Sequence, residues 1–507
     1  MADGIVFDNI PGAGLVAPGF FFEVTSGGQF ESNARMLVIG HANSGASLAV
    51  NTPVPLNSQY EADSIAGAGS VLADAYRIAR ANAPAQEIWG MAVAATGTTA
   101  AWTVSIDSVP AAGGVGVIEI QGEVISVSIA AGDTATEVAT ALAAAVNGYY
   151  NALTGASLAV TAASTDEVVT ITARHAGLVM NSVDLHVPTG VTGNAFAGAT
   201  TTTQTTTATG SPDLTTALAA LGDDPFDFIA TPFADETNLG RYETLMSDVS
   251  GRWSYLRQIY GHIVTAVVDS TGDLTTLGLS LNDRHLTVIP VIEGGSNPSP
   301  VWAWAAGLLG RVVPWLGDGS TGNVSRNQTG LVVEGVRAPR NRAYWPGYTQ
   351  RNTFLKSGIS TWSVNASGDV AIDKLITTYR QNPLGQTDTV FRDIQVLAQL
   401  IYMLKAYRAA LSYEHGNKAI ADSNPGGLGA LVTIEDIRAT MVHTADELER
   451  QGVQANAAEF ARRLVLSRDN DNPNRVNMLA PIDTVDPLDI VAANARLFKQ
   501  YRQAAAV

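Results

Sequence analysis

The sequence predicts an α/β core interrupted by a β-rich α+β insert, followed by a C-terminal α+β domain and flanked by extended arms at both ends. Three observations carry this expectation. Strand–helix–strand alternation runs through residues 34–93 and resumes through 213–312, the rhythm of βαβ units in a parallel sheet. Between them, from about Thr96, apolar residues alternate with period two instead. Both ends of the chain hold apolar, β-branched runs with no sequence neighbour to pair with, which makes sense if another chain supplies the pairing.

The elements follow in order. The N-terminal arm, residues 1–20, carries Ile5-Val6-Phe7-Asp8-Asn9-Ile10-Pro11, an apolar run stopped by proline. The first part of the core, residues 21–95, holds a buried strand at Ala34–Gly40, a helix from Ser64 to Asn82 ended by Pro84, and a strand at Glu87–Val93. Residues 96–209 are the inserted domain and its linker. Trp102–Val109 alternates, Val115–Ile129 is a hairpin turning at Gln121-Gly122, and Thr134-x-x-Glu137 opens a helix through Val146 as a capping box. Alternating runs at Leu158–Ala162 and Val168–Ala173 complete a ββαββ block, and the Thr/Gly/Ala-rich stretch Thr189–Gly210 reads as a linker or surface loop.

The core resumes over residues 210–356. Helices are expected at Asp213–Leu221, Glu236–Arg252, Leu274–Leu281 and Pro300–Val312, with strands at Phe226–Ala230, His262–Val268 and Leu286–Ile292. Residues 357–470 form the C-terminal domain. Its long amphipathic helix spans about Thr387–His415, with Val390, Ile394, Leu397, Ile401, Leu404 and Leu411 on one face. Helices at Ile434–Gln451 and Ala455–Leu466 follow, then the C-terminal arm, residues 471–507, with apolar runs at Val476–Ile482 and Leu488–Ala493.

A chain of 507 residues is too long for one ordinary core, and about three domains are expected. Only 15% of residues are charged, which implies a surface either covered in an assembly or merely small and bland. The formal net charge of −17 argues against a nucleic-acid binder, which needs a basic stripe. Charge is uneven: residues 1–210 hold 16 acidic and 4 basic side chains, the remainder 31 and 26, and the first lysine is Lys356. The absence of cysteine removes disulfides and thiolate metal sites. No secretion signal is expected, and no apolar run reaches the ~18 residues of a membrane span.

Chemical motifs are sparse. Gly317-x-Gly319-x-x-Gly322 matches the dinucleotide fingerprint by letters, but a loop and not a helix follows it, so no cofactor is expected. No P-loop occurs. The seven histidines (His41, His175, His186, His262, His285, His415 and His443) form no metal-binding spacing, and no metal is expected. Gly40-His41-Ala42-Asn43-Ser44-Gly45 follows a strand, where an α/β enzyme holds its nucleophile, yet the G-x-S-x-G elbow is missing. No catalytic residue is assigned. Trp302, Trp304 and Trp315 read as core or an interface anchor. Arg337, Arg340 and Arg342, clustered with Tyr344, Trp345 and Tyr348, read as an intersubunit patch.

Four stretches resemble the tail sheath proteins of contractile-tailed bacteriophages, closest to the Mu-like group. These are Phe7–Pro11; Gly67–Leu72 with Ala79–Pro84 and Glu87–Trp89; Thr136–Val146 with Thr170–Gly177; and Asn472–Val476 through Leu479–Asp483. They fall in order across nearly the whole chain. The tail Lys499–Val507 departs from the pattern by running past the expected end.

The resemblance implies a non-enzymatic subunit with a subtilisin-like sheath core, polymerising helically around a tail tube and contracting to drive that tube through the host envelope. Implied partners are other copies of itself in stacked six-fold rings, the tail tube protein, and baseplate and tail-terminator proteins, with no nucleic acid and no membrane insertion. It implies a virion tail component assembled in the bacterial cytoplasm. The arms would add strands to neighbouring subunits, with Val6, Phe7, Ile10, Val476, Met478, Leu479, Ile490 and Val491 as the contacts. By family position the helix Ile434–Gln451 would face the tube through Arg438, Glu447, Glu449 and Arg450; the competing reading is a solvated face with i,i+4 pairs. The insert would then be outermost, where its acidity keeps particles apart. The alternatives weighed are an α/β hydrolase, which lacks a nucleophile–base pair, and an adhesin-like surface-binding protein using the β-rich insert.

Overall fold

The computed structural model describes residues 34–497, and the arm contacts Val6, Phe7 and Ile10 lie outside the described residues. The core is a six-stranded sheet in the order Leu286–Ile292, His262–Asp269, Phe228–Ala230, Arg35–Gly40, Glu87–Ala92, Pro53–Pro55. The first five run parallel, and the proline-bearing edge strand Pro53–Pro55 runs antiparallel to its neighbour. Met36 pairs with Phe228 on one side and with Ile88 on the other. The central strands are buried on both faces, which is why they read as continuous apolar runs in place of alternation.

Two helices cover one another beside this sheet. Val301–Leu316 is apolar nearly all round, and all but three of its residues are buried. It crosses Val71–Asn82 at close range because Gly310 has no side chain; a Cβ there would stand 2.9 Å from the Ala79 carbonyl oxygen. Val71–Asn82 begins later than the sequence suggests. Ser70 caps it, its hydroxyl accepting from the Ala73 N–H at 3.1 Å, while Gly67 and Gly69 at positive φ break the chain before it. The helix expected at Glu236–Arg252 stops at Met246, and Arg252 is drawn into the interior by the carbonyls of Tyr260, Gly222 and Asp224.

The insert comprises two small sheets and one helix. Thr99–Ile106 is central to a four-stranded antiparallel sheet in the order Thr200–Thr206, Thr99–Ile106, Val168–Ala176, Val160–Thr165. Gly114–Ile120 and Glu123–Ile129 form the expected hairpin, joined by the short strand Leu185–His186. Helix Ala135–Asn147 is opened by the complete Thr134/Glu137 capping box. One expectation is corrected: the threonine-rich stretch is not only linker, since Thr200–Thr206 is an ordered edge strand. β-branched threonines suit a pleated ribbon even without apolar alternation.

In the C-terminal part, the long helix starts at Ile394, not Thr387. Val390 lies exposed in the preceding loop, so its helical phase with Ile394 is coincidental. Helix Ile434–Arg450 carries a second full capping box, Thr433/Asp436. Ala457–Arg463 is shorter than expected because the chain turns extended at Val465–Arg468 and pairs antiparallel with Val476–Leu479. No helix is long and apolar enough to cross a membrane among the described residues.

Candidate functional site

In an open parallel sheet, ligands bind beyond the carboxyl ends of the strands where the strand order reverses. Here that point lies between Arg35–Gly40 and Phe228–Ala230. The crevice is filled. His41, fully buried, bonds the Val93 carbonyl through Nδ1 at 2.9 Å, and its ring lies 4.9 Å from that of Phe233. The insert sends His175 against the other side, 5.5 Å from His41. Burial lowers the His41 imidazole despite the Val93 bond. Burial also pushes His175 down to about 3, helped by His41 and Arg174. Both rings are neutral near pH 7, and Ser44 is on an exposed turn away from the packed rings. A general base needs a pKa near working pH and access to a proton. This pair has neither.

The glycine fingerprint loop is accounted for by packing. It follows the helix Val301–Leu316, not a strand, and a Cβ on Gly319 would lie 2.5 Å from the Tyr402 ring. The Asp318 carboxylate accepts from Ser320 Oγ at 2.9 Å, Asn323 Nδ2 at 2.7 Å and Thr321. Burial opposes its charge, but these bonds outweigh it and hold the carboxyl below its usual range.

The arginine cluster is also corrected. Arg340 bonds Glu119 Oε2 at 3.0 Å and pairs with Asp184, both in the insert, while Arg337 reaches the Gly122 carbonyl and lies 3.7 Å from Glu123. These two arginines clamp insert to core within one chain. Arg342 stacks on Trp345 at 5.2 Å. Trp302 and Trp304 are core: Trp302 donates to Asp74 at 2.7 Å and Trp304 packs 4.8 Å from Trp362. Trp315 is half-buried beneath Arg326.

The C-terminal part holds several of the side chains open to a partner. On helix Ile434–Arg450, Arg438 bonds the Leu464 carbonyl at 2.7 Å and Glu435 at 3.2 Å, and Glu449 accepts from the Ala457 N–H at 3.2 Å. Both are spent inside the chain. Glu447 faces out beside His443 at 3.3 Å, and Arg450 is exposed.

The strand Val476–Leu479 is not without a home: it pairs with Val465–Arg468, from Val465↔Leu479 to Arg468↔Val476. The turn through Asp469–Asn474 brings it back, with Asp469 accepting from Asn472 N–H and Asn477 Nδ2. Val476 and Met478 pack on the core, whereas Leu479 is exposed. This hairpin is a two-stranded ladder, so each strand has one outer edge unpaired among the described residues. Beyond it Leu488, Ile490, Val491 and Leu497 are 72%, 80%, 78% and 97% exposed.

Residues 207–378 match the family model described as the phage tail sheath protein central domain. The chain is 27% identical over 498 residues, 96% of its length and 98% of the relative's, to the Mu-like prophage FluMu tail sheath protein of Haemophilus influenzae. By these two matches this chain resembles the phage tail sheath proteins. Its matched segment is the second half of the α/β core together with the arginine clamp, the glycine loop and the first strands of the C-terminal part. Among solved structures, the protein is similar to a sheath tail protein of Listeria innocua, at 13% identity over 89% of this chain and 92% of that one with a TM-score of 0.46. It is also similar to a chain of the anti-feeding prophage baseplate, at 12% identity over 96% and 99% with a TM-score of 0.48. The protein is a structural component of a phage tail, with a mixed α/β fold.

Proposed function

We infer that the chain is the repeating subunit of a contractile sheath, polymerising helically around the tail tube and later contracting to drive the tube through the host envelope. The observation that carries this is the unpaired hairpin edge beside an arm whose apolar side chains are exposed. An open edge is a template for another strand. Each backbone hydrogen bond so gained contributes about 1 kcal/mol net, multiplied over every subunit. Head-to-tail pairing of this kind is heterologous and builds an open helix. Contraction needs no nucleotide, because the free-energy difference between two packings can drive it.

The partners in this reading are further copies in six-fold stacked rings, the tail tube protein, and baseplate and tail-terminator proteins, with assembly in the bacterial cytoplasm. The core is read as subtilisin-like in topology only; its packed crevice supports a structural use. The N-terminal contacts Val6, Phe7 and Ile10 and the C-terminal contacts Leu479, Ile490 and Val491 are proposed to lie between subunits. Electron microscopy of the purified full chain beside a variant lacking residues 1–12 tests this. Long hollow cylinders from the full chain and none from the truncation are expected. Discrete monomers or small oligomers at high concentration, even with tube protein present, would overturn it.

A further inference from the structure

The C-terminal arm is seated on its own chain by contacts of inverted polarity. From Asp483 to Asp489 the arm is held by a series of hydrogen bonds and an ion pair. The Ala455 N–H donates to the Asp483 carbonyl at 3.0 Å and Asn456 Nδ2 to its carboxylate at 2.6 Å. The Val485 N–H donates to the Val453 carbonyl at 3.3 Å, and Gln399 Nε2 to the Val485 carbonyl at 2.8 Å. At the far end Asn327 Nδ2 donates to the Leu488 carbonyl at 2.6 Å and lies 3.2 Å from Asp489 Oδ1. Lys374 closes the seat: its ammonium pairs with Asp489 while also holding Asp393 at 3.1 Å. The arm's apolar groups, Leu488, Ile490 and Val491, meanwhile stand in solvent.

The bed beneath is unusual as well. Gln328, Gln395, Gln399 and Gln454 are all buried there or beside it. Gln395 Oε1, Gln399 Oε1, Gln454 Nε2 and both amide atoms of Gln328 have no hydrogen-bond partner among the described residues. A buried polar atom without a partner is destabilising, because its lost hydration is not replaced. A permanent joint would bury the arm's leucine and isoleucine instead. A polar bed with unmet hydrogen bonds, held at one end by an ion pair, is built to open.

We propose that residues 483–489 form an ionic latch that parks the C-terminal arm in cis on the free subunit, with Lys374–Asp489 as its catch, and that opening it hands the arm to a neighbour. The latch rests on the sheath reading for its purpose, but its existence is tested separately. Hydrogen exchange is followed by mass spectrometry on the full chain, kept dilute, for wild type, Asp489→Asn and Asp486→Asn. Asp489→Asn is expected to speed exchange in peptides covering 453–456 and 483–489 on the order of tenfold, since hydrogen bonds to charged groups are stronger than those to neutral ones. Asp486→Asn removes the same charge from an exposed position and should change nothing there. Raising ionic strength should act like Asp489→Asn, through screening. Equal exchange in all three proteins, equal acceleration by both variants, or an arm unprotected in wild type would each overturn the latch. In concentrated solution Asp489→Asn should shorten the assembly lag. If wild type forms no cylinders at all, the sheath reading fails while the exchange result still decides the latch.

Discussion

The imidazole of His175, in the insert, lies 5.5 Å from that of His41, at the end of the first core strand, although 134 positions separate them in the chain. The two rings and Phe233 fill the crevice in which an α/β enzyme would keep its ligand. A site shape familiar from catalysis has become the joint between two parts of one subunit.

That joint sets a pH dependence. Burial depresses His41 and takes His175 to about 3, as it also takes His262 outside the joint, against about 6.5 in the unfolded chain. The unfolded state therefore binds more protons between those values, and stability rises with pH through that window. The contribution is complete above pH 6.5 and is lost as pH falls toward 3. Between pH 6.5 and 4.5 each fully shifted histidine should cost about 2–3 kcal/mol. Calorimetry over that range should show a falling Tm in wild type and a shallower slope in His175→Phe; parallel slopes would contradict it.

Arg340 joins insert to core through two half-buried carboxylates, Glu119 and Asp184. Arg340→Ala leaves both without their cation and should destabilise the chain by about 2–4 kcal/mol. Limited proteolysis should then cut first near the two crossings of the insert, around residues 96 and 209. Arg342→Ala, which loses only a stacking contact with Trp345, should leave both readouts unchanged.

Gly310 permits the contact between helices Val301–Leu316 and Val71–Asn82. Gly310→Ala would place a carbon 2.9 Å from the Ala79 carbonyl oxygen, a backbone atom that cannot step aside. Overpacking of this kind costs about 1–3 kcal/mol. Denaturant titration should show a lower midpoint with an unchanged slope.

On helix Ile434–Arg450 the four tube-facing candidates separate by what they already touch. Arg438→Ala should cost about 1 kcal/mol of stability, because it frees the Leu464 carbonyl. Reversing Glu447 and Arg450 together, as Glu447→Lys with Arg450→Glu, should leave stability within about 0.5 kcal/mol. The reversal should reduce co-sedimentation with tube protein. Undiminished co-sedimentation would remove this helix face from the tube contact.

Much of the architecture was legible because its signals are local. The Thr134/Glu137 box, the Val115–Ile129 hairpin and the five parallel strands announce themselves within a few residues of chain. Where reading failed, the cause was equally specific. Thr200–Thr206 has both faces exposed, so it carries no apolar alternation to mark it as a strand. Val390 fell in helical phase with Ile394 by chance. Arg337 and Arg340 read as an intersubunit patch because the insert groups they bind lie more than 150 residues away.

By itself, the sequence determined most of the core strands and the longer helices, because backbone hydrogen bonding and side-chain period are properties of neighbouring residues. It also carried the likeness to phage tail sheath proteins. Only the tertiary structure decided that the crevice is packed, that Arg340 is paired with the insert of its own chain, and that Val476–Leu479 has a partner within the chain. Burial, ion pairing and strand pairing depend on distance in space, and residues remote in the chain come within reach only when the fold closes.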